Sequence, residues 1–184
     1  LDEDEAVMRV MSGGRVGRNK AVTVERDIPL PPLTEKDRVC IEIGIEKGIS
    51  NFALSFANSG ADVEVLRNLV GSDAYIISKI ESLRGIRNLD EIAASSNALL
   101  IDRGDLSRQA PIESIPNLQK DIIRRGKACD REVFVATNLL ESMITSIVPT
   151  RAEINDIYNT LNDGADGLVL AAETAIGEYP VRCA

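Results

Sequence analysis

The chain of 184 residues contains no histidine and no tryptophan. Without an imidazole, Ser-His-Asp and Cys-His catalytic arrangements are excluded. Histidine-ligated zinc and proximal-histidine haem are excluded with them. Aromatic residues make up only 3%. Stacking on bases or sugars is therefore not a main mode of recognition, and the core has to be aliphatic. The three cysteines, Cys40, Cys129 and Cys183, are odd in number, widely spaced and form no CxxC pair. They read as reduced cytosolic thiols, which places the protein in the cytoplasm. No apolar run is long enough to cross a membrane and no secretory h-region opens the chain. The first residues are Leu1-Asp2-Glu3-Asp4 rather than Met, from which we expect residues before Leu1. Basic residues are in deficit: 21 Lys and Arg stand against 29 Asp and Glu, a formal charge of -8. That balance argues against nucleic acid or an anionic membrane as partner. It leaves carboxylates available for hard cations such as Mg²⁺. Neither a GxGxxG fingerprint nor a Walker Gly-Lys-Ser/Thr occurs, so dinucleotide-binding and P-loop readings lose their main support.

What is present is ordinary for a globular chain, with 44% hydrophobic and 27% charged residues. Residues 1–27 differ from the rest and read as hairpin or linker, with Gly13-Gly14 and Gly17 beside a short β-branched run. Ile28-Pro29-Leu30-Pro31-Pro32-Leu33 is a stiff extended segment. Thr34 then caps a helix, with Asp37 in a capping-box position, and that helix runs to Gly48. Five short, continuous, β-rich apolar runs follow: 52–54, 75–77, 98–101, 133–136 and 167–170. They are the signature of parallel strands buried on both faces. Helical patterns separate them at 61–69, 89–94, 115–129 and 151–161, and Gly71, Gly126 and Gly164 punctuate near helix ends. The alternation predicts an α/β fold with right-handed crossovers. It is either an open doubly wound sheet or part of an eight-stranded barrel.

The polar residues fall just after the apolar runs: Ser55, Lys79 and Glu81, Arg103-Gly104-Asp105, Thr137-Asn138, and Glu173-Thr174. The strand C-terminal rim is where parallel α/β proteins build active sites. Lys79 and Glu81 are two apart and share one face of a strand. They read either as a solvent-exposed ion pair or as a metal-ligating carboxylate beside a cation that stabilises developing negative charge. Asp105 reads either as a helix N-cap or, with Glu81, as a Mg²⁺ ligand. Thr137 and Glu173 have simple alternatives as a strand-end hydroxyl and a first-turn helix carboxylate.

Together these segments carry a resemblance. Lys79-Ile80-Glu81, Arg103-Gly104-Asp105-Leu106, Ala136-Thr137 with Leu140-Glu141-Ser142-Met143, Pro149-Thr150-Arg151-Ala152-Glu153, and Glu173-Thr174-Ala175 with Gly177 and Tyr179-Pro180 resemble the pyruvate kinase family in order and spacing. Upstream, Gly13-Gly14, Asn19-Lys20, Leu30-Pro31 and Leu33-Thr34-Glu35-Lys36-Asp37 resemble it too, so the likeness spans roughly residue 12 to the C-terminus. The resemblance implies that residues 1–27 end a small inserted β domain and that 28–184 form the second part of a catalytic (β/α)₈ TIM barrel, strands four to eight. It implies phosphotransfer between phosphoenolpyruvate and ADP, giving pyruvate and ATP. Lys79 would stabilise the enolate and the transferring phosphoryl group, and Glu81 and Asp105 would ligate Mg²⁺ or Mn²⁺. Arg103, the Gly104-Asp105 backbone and Thr137 would bind the substrate carboxylate, with Thr137 near the face where C3 is protonated. Ser55 and Glu173 would support the site. Potassium would bind through residues outside this chain. The resemblance also implies a homotetramer, with Arg151 in a segment that reaches a neighbouring subunit.

The sequence departs from the family around this core. The usual Ala-Arg-Gly-Asp-Leu-Gly-Val-Glu reads Asp102-Arg103-Gly104-Asp105-Leu106-Ser107-Arg108-Gln109, which adds a negative charge near the expected carboxylate site. Ala171-Ala172 replaces Ser-Gly, Ile176 a later lysine, and Asn138 a glutamine. The arginine that often follows the Ser-Phe of the fourth strand is absent from Ser55-Phe56-Ala57-Asn58. These departures motivate two alternatives, a Mg²⁺-dependent 2-oxo-acid enolate enzyme of lyase or aldolase type and an inactive domain kept for binding. Five strands cannot close a barrel. We therefore expect a longer protein or a pairing segment, and no phosphotransfer from residues 1–184 alone.

Overall fold

The computed structural model describes residues 9–15, 28 and 30–184. The expected hairpin or linker at 1–27 lies largely outside the described residues; residues 9–15 have no regular secondary structure and are exposed. From there the elements run α1 (Glu35–Glu46), β1 (Asn51–Leu54), α2 (Gly60–Val70), β2 (Tyr75–Ile80), α3 (Leu83–Arg87), α4 (Leu89–Ser95), β3 (Ala98–Asp102), α5 (Arg103–Leu106), α6 (Ile115–Ala128), β4 (Glu132–Ala136), α7 (Arg151–Asn162), β5 (Gly167–Val169), α8 (Ala172–Ala175) and α9 (Pro180–Cys183). All five expected strands are present. The short helices α3, α5, α8 and α9 were not expected.

Local chemistry explains the helix starts. Thr34 caps α1 in a full capping box: its hydroxyl oxygen accepts the Asp37 N–H while Asp37 accepts the Thr34 N–H. Thr150 and Glu153 repeat the device at α7, and Ser59 and Ser82 cap α2 and α3. Gly71 ends α2 at φ +88°, in the left-handed region that favours glycine. Gly126 lies near the end of α6, as expected, and does more than mark it. It lies inside α6, where a Cβ would come within 2.6 Å of Val133 Cγ2, so it is there to let the helix approach the sheet.

The sheet decides between the two architectures. All four strand pairings are parallel, and the strands lie in chain order β1-β2-β3-β4-β5. A doubly wound sheet reverses its order at a switch point and places helices on both faces. Here there is no reversal, and α1, α2, α4 and α6 pack side by side in sequence order. This is an arc of a (β/α) barrel. One face of the strands meets the helices through Leu54, Ile76, Ile80, Leu99, Ile101, Val133 and Val135, packed on Val63, Leu66, Leu89, Ile92, Ile122 and Ile123. This core is aliphatic, as the low aromatic content requires. The opposite, inner face carries Ile77, Lys79, Leu100, Asp102, Phe134 and Ala136 by strand parity. Among the described residues no helix is long and apolar enough to cross a membrane.

Candidate active site

The inner face ends in charge. In the register, Lys79 pairs with Leu100, and Asp102 lies two residues further along β3, opposite Ala136. Lys79 and Asp102 therefore point to the same face from adjacent strands, and Glu81 continues that face past the end of β2. Lys79 Nζ stands 2.6 Å from Glu81 Oε1 and 3.2 Å from Asp102 Oδ2. The Glu81 side chain is 1% exposed. Its second oxygen accepts the Phe56 N–H at 2.5 Å. Asp105 completes the group: one oxygen from each of Glu81, Asp102 and Asp105 lies within 4.8 Å of the others.

The electrostatics are unbalanced. Two buried carboxylates share one ammonium, and buried charge without compensation is costly. Burial raises the Glu81 pKa, and neither the Lys79 ion pair nor the Phe56 N–H reverses that shift. Burial also opposes the charge on Asp102, but hydrogen bonds from Thr137 and Lys79 outweigh it and hold the carboxyl below its ordinary range. For Lys79, burial works against the charged form, and pairing with Glu81 and Asp102 prevails and raises its pKa. Asp105 is partly exposed and pairs with Arg108 at 3.2 Å. The excess of hard oxygen donors over cations fits a divalent metal of the Mg²⁺ type.

The surrounding backbone is strained at the points that touch this cluster. Phe56 and Thr137 both adopt φ +50°, a conformation rare for non-glycine residues and worst for a β-branched one. Phe56 uses it to aim its N–H at Glu81. Thr137 uses it to reach across to β3, where its Oγ1 accepts the Gly104 N–H at 2.8 Å and donates to Asp102 Oδ1 at 2.9 Å.

Other expected site residues sit elsewhere. The Arg103 side chain, expected to bind substrate, is directed to the protein. Its guanidinium donates to the Thr137 carbonyl at 2.6 Å, to Asp156 at 2.8 Å and to Gln119 and Asn138. It braces the strained Thr137 against α7. Ser55 is exposed just past β1 and lines a groove of about 420 Å³ between β1 and α1. The supporting contribution from this strand end is the Phe56 amide. Glu173 is buried and accepts N–H bonds from Leu140 and Ala171, tying the β5 exit to the loop after β4. The helix α5 is capped by Asp102, whose carboxylate accepts the Asp105 N–H at 3.4 Å, not by Asp105. Asp102, read from the sequence only as an added charge near the carboxylate site, is a full member of the cluster through Lys79. Its place beside Lys79 follows from the sheet register, which the sequence does not carry.

Comparison with known proteins agrees with the barrel arc. The family model described as pyruvate kinase, barrel domain, matches residues 1–184. A pyruvate kinase of Methylorubrum extorquens is 40% identical over 183 residues, covering 99% of this chain and 38% of that protein. A pyruvate kinase of Thermoplasma acidophilum is 41% identical over 183 residues, covering 97% of this chain and 34% of that protein. One from Bacillus licheniformis is 40% identical over 186 residues, with 98% and 32% covered. The chain thus spans 32% to 38% of the length of these curated relatives. A barrel arc with its charged residues at the strand C-termini, and a family match over its whole length, together show that this chain belongs to the pyruvate kinase family, in its barrel domain.

Proposed function

We propose that the chain carries the cation-binding and enolate-stabilising part of a phosphotransferase of the pyruvate kinase type, acting between phosphoenolpyruvate and ADP. One observation carries this reading: two buried carboxylates, Glu81 and Asp102, converge with Asp105 around a single ammonium, that of Lys79. Glu81 and Asp105 would hold Mg²⁺ or Mn²⁺, which supplies a Lewis acid for phosphoryl and enolate oxygens. Lys79, partly exposed on the inner face, places a fixed positive charge beside them for an anion that develops during reaction. Glu81 and Asp102 keep that lysine charged and aimed. The Phe56 amide fixes the Glu81 rotamer, and Arg103 holds the Thr137 backbone so that its hydroxyl faces β3. Proton transfer at C3 of the enolate belongs near Thr137 in this reading. A homotetrameric assembly and a cytoplasmic location go with it by family membership.

Lys79→Ala tests the proposal. In the protein as its gene encodes it, the variant should lose phosphotransfer by about 10²–10³-fold. It should slow metal-dependent exchange of the pyruvate methyl protons in parallel, while Mn²⁺ affinity stays the same or rises. Unchanged turnover and exchange in Lys79→Ala would remove the proposed role.

A further inference from the structure

Three anion-binding groups converge on a carboxylate that belongs to the protein itself. The Thr137 hydroxyl donates to Asp102 Oδ1 at 2.9 Å, the Asp105 N–H reaches the same oxygen at 3.4 Å, and Lys79 Nζ lies 3.2 Å from Asp102 Oδ2. The Gly104 N–H is engaged in the same relay, since it donates to Thr137 Oγ1 at 2.8 Å. The arrangement follows from the fold: Asp102 stands opposite Ala136 in the register, next to Thr137, and on the Lys79 face of the sheet. A ligand carboxylate arriving at Lys79 and Thr137 finds these donors taken and a like charge in their midst. An uncharged small residue at position 102 would leave the hydroxyl and the ammonium free for it.

We propose that Asp102 is a specificity-determining residue: its carboxylate stands where a ligand's carboxylate would be held, and it sets this site against carboxylate ligands. The inference deepens the phosphotransfer reading and rests on it, because it concerns how the same site grips its acidic substrate. Asp102 lowers affinity for that substrate while it also holds Lys79 in place.

Oxalate, a small rigid dicarboxylate, is the probe. Its affinity is measured by calorimetry for the wild type, Asp102→Ala and Asp102→Asn, with and without Mn²⁺. Asp102→Ala should bind oxalate at least about tenfold more tightly, or about 1.4 kcal/mol. Asp102→Asn keeps the acceptor for Thr137 and the shape of the side chain, so it folds as the wild type does and should show a smaller gain. Unchanged or weaker oxalate binding in both variants overturns the proposal. So does a loss of Mn²⁺ affinity in both with no gain for oxalate, which makes Asp102 a cation ligand. Failure of the phosphotransfer reading looks different. Mn²⁺ then binds neither the wild type nor the variants, and the oxalate ratio without metal still decides the part played by Asp102.

Discussion

Two carboxylates in this chain have opposite fates. Glu153, at the start of α7, accepts four hydrogen bonds: from the N–H and hydroxyl of Ser142 and from the N–H and hydroxyl of Thr150, all between 2.6 and 2.8 Å. Burial raises its pKa, but these donors prevail and bring it down to about 2. Glu81, just past the end of β2, is almost completely enclosed and among the described residues has only the Phe56 N–H and a lysine shared with Asp102. Burial there wins and its pKa is raised. The first carboxylate is satisfied by its own surroundings and holds a helix to a loop. The second leaves a deficit that the described residues do not fill, and in the proposed function a ligand fills it. Strain follows the same division: Phe56 and Thr137, both at φ +50°, touch the Glu81–Asp102 cluster, whereas Thr150 caps α7 with ordinary extended backbone.

Charge removal separates the two most strongly. Glu153→Gln should cost about 1–3 kcal/mol of stability, because charge-assisted hydrogen bonds become neutral or unmade. Glu81→Gln should leave thermal stability unchanged or raise it, since it removes an undercompensated buried charge. Thermal or urea unfolding of both variants checks this, and equal losses would erase the contrast. Acid sharpens it. A folded-state pKa of about 2 for Glu153 lies below its ordinary 4.5. Its contribution is therefore complete above about pH 4.5 and is lost as pH falls toward 2. Glu81 acts in the opposite sense, because its burial cost is relieved as it takes up a proton. Unfolding of the wild type followed from pH 5 to pH 2 should show a loss that Glu153→Gln lacks. The smallest effect compares the two capping boxes. Thr34→Ala should cost about 1 kcal/mol. Thr150→Ala should cost more, because the Glu153 it helps to hold also anchors Ser142. Equal costs would mean that the tie to Ser142 adds nothing.

Much of the fold was legible because parallel strands appear as unbroken apolar runs, although burial on both faces holds for β3 and not for β1 or β5. β3, from Ala98 to Asp102, is buried at every position. The choice between barrel and doubly wound sheet was not legible in the periodicity, since it depends on strand order; the family resemblance pointed to the barrel, and the strand order agrees with it. The Lys79–Glu81 pair could be read from spacing alone. Asp102 could not be placed in the same way: its partners Thr137 and Lys79 lie 35 and 23 residues away and meet it only through the register. The resemblance set Arg103 toward the substrate, while its guanidinium reaches the Thr137 carbonyl and Asp156. The Phe56 amide gave no signal, since a backbone donor carries no residue identity.

Mn²⁺ titration of the protein as its gene encodes it, read by electron paramagnetic resonance, tests the central claim most directly. With Glu81 and Asp105 as ligands, the wild type binds one ion at this rim, and Glu81→Gln and Asp105→Asn each weaken it by at least about tenfold, whereas Glu153→Gln binds as the wild type does. Equal affinity in the wild type, Glu81→Gln and Asp105→Asn would contradict the account.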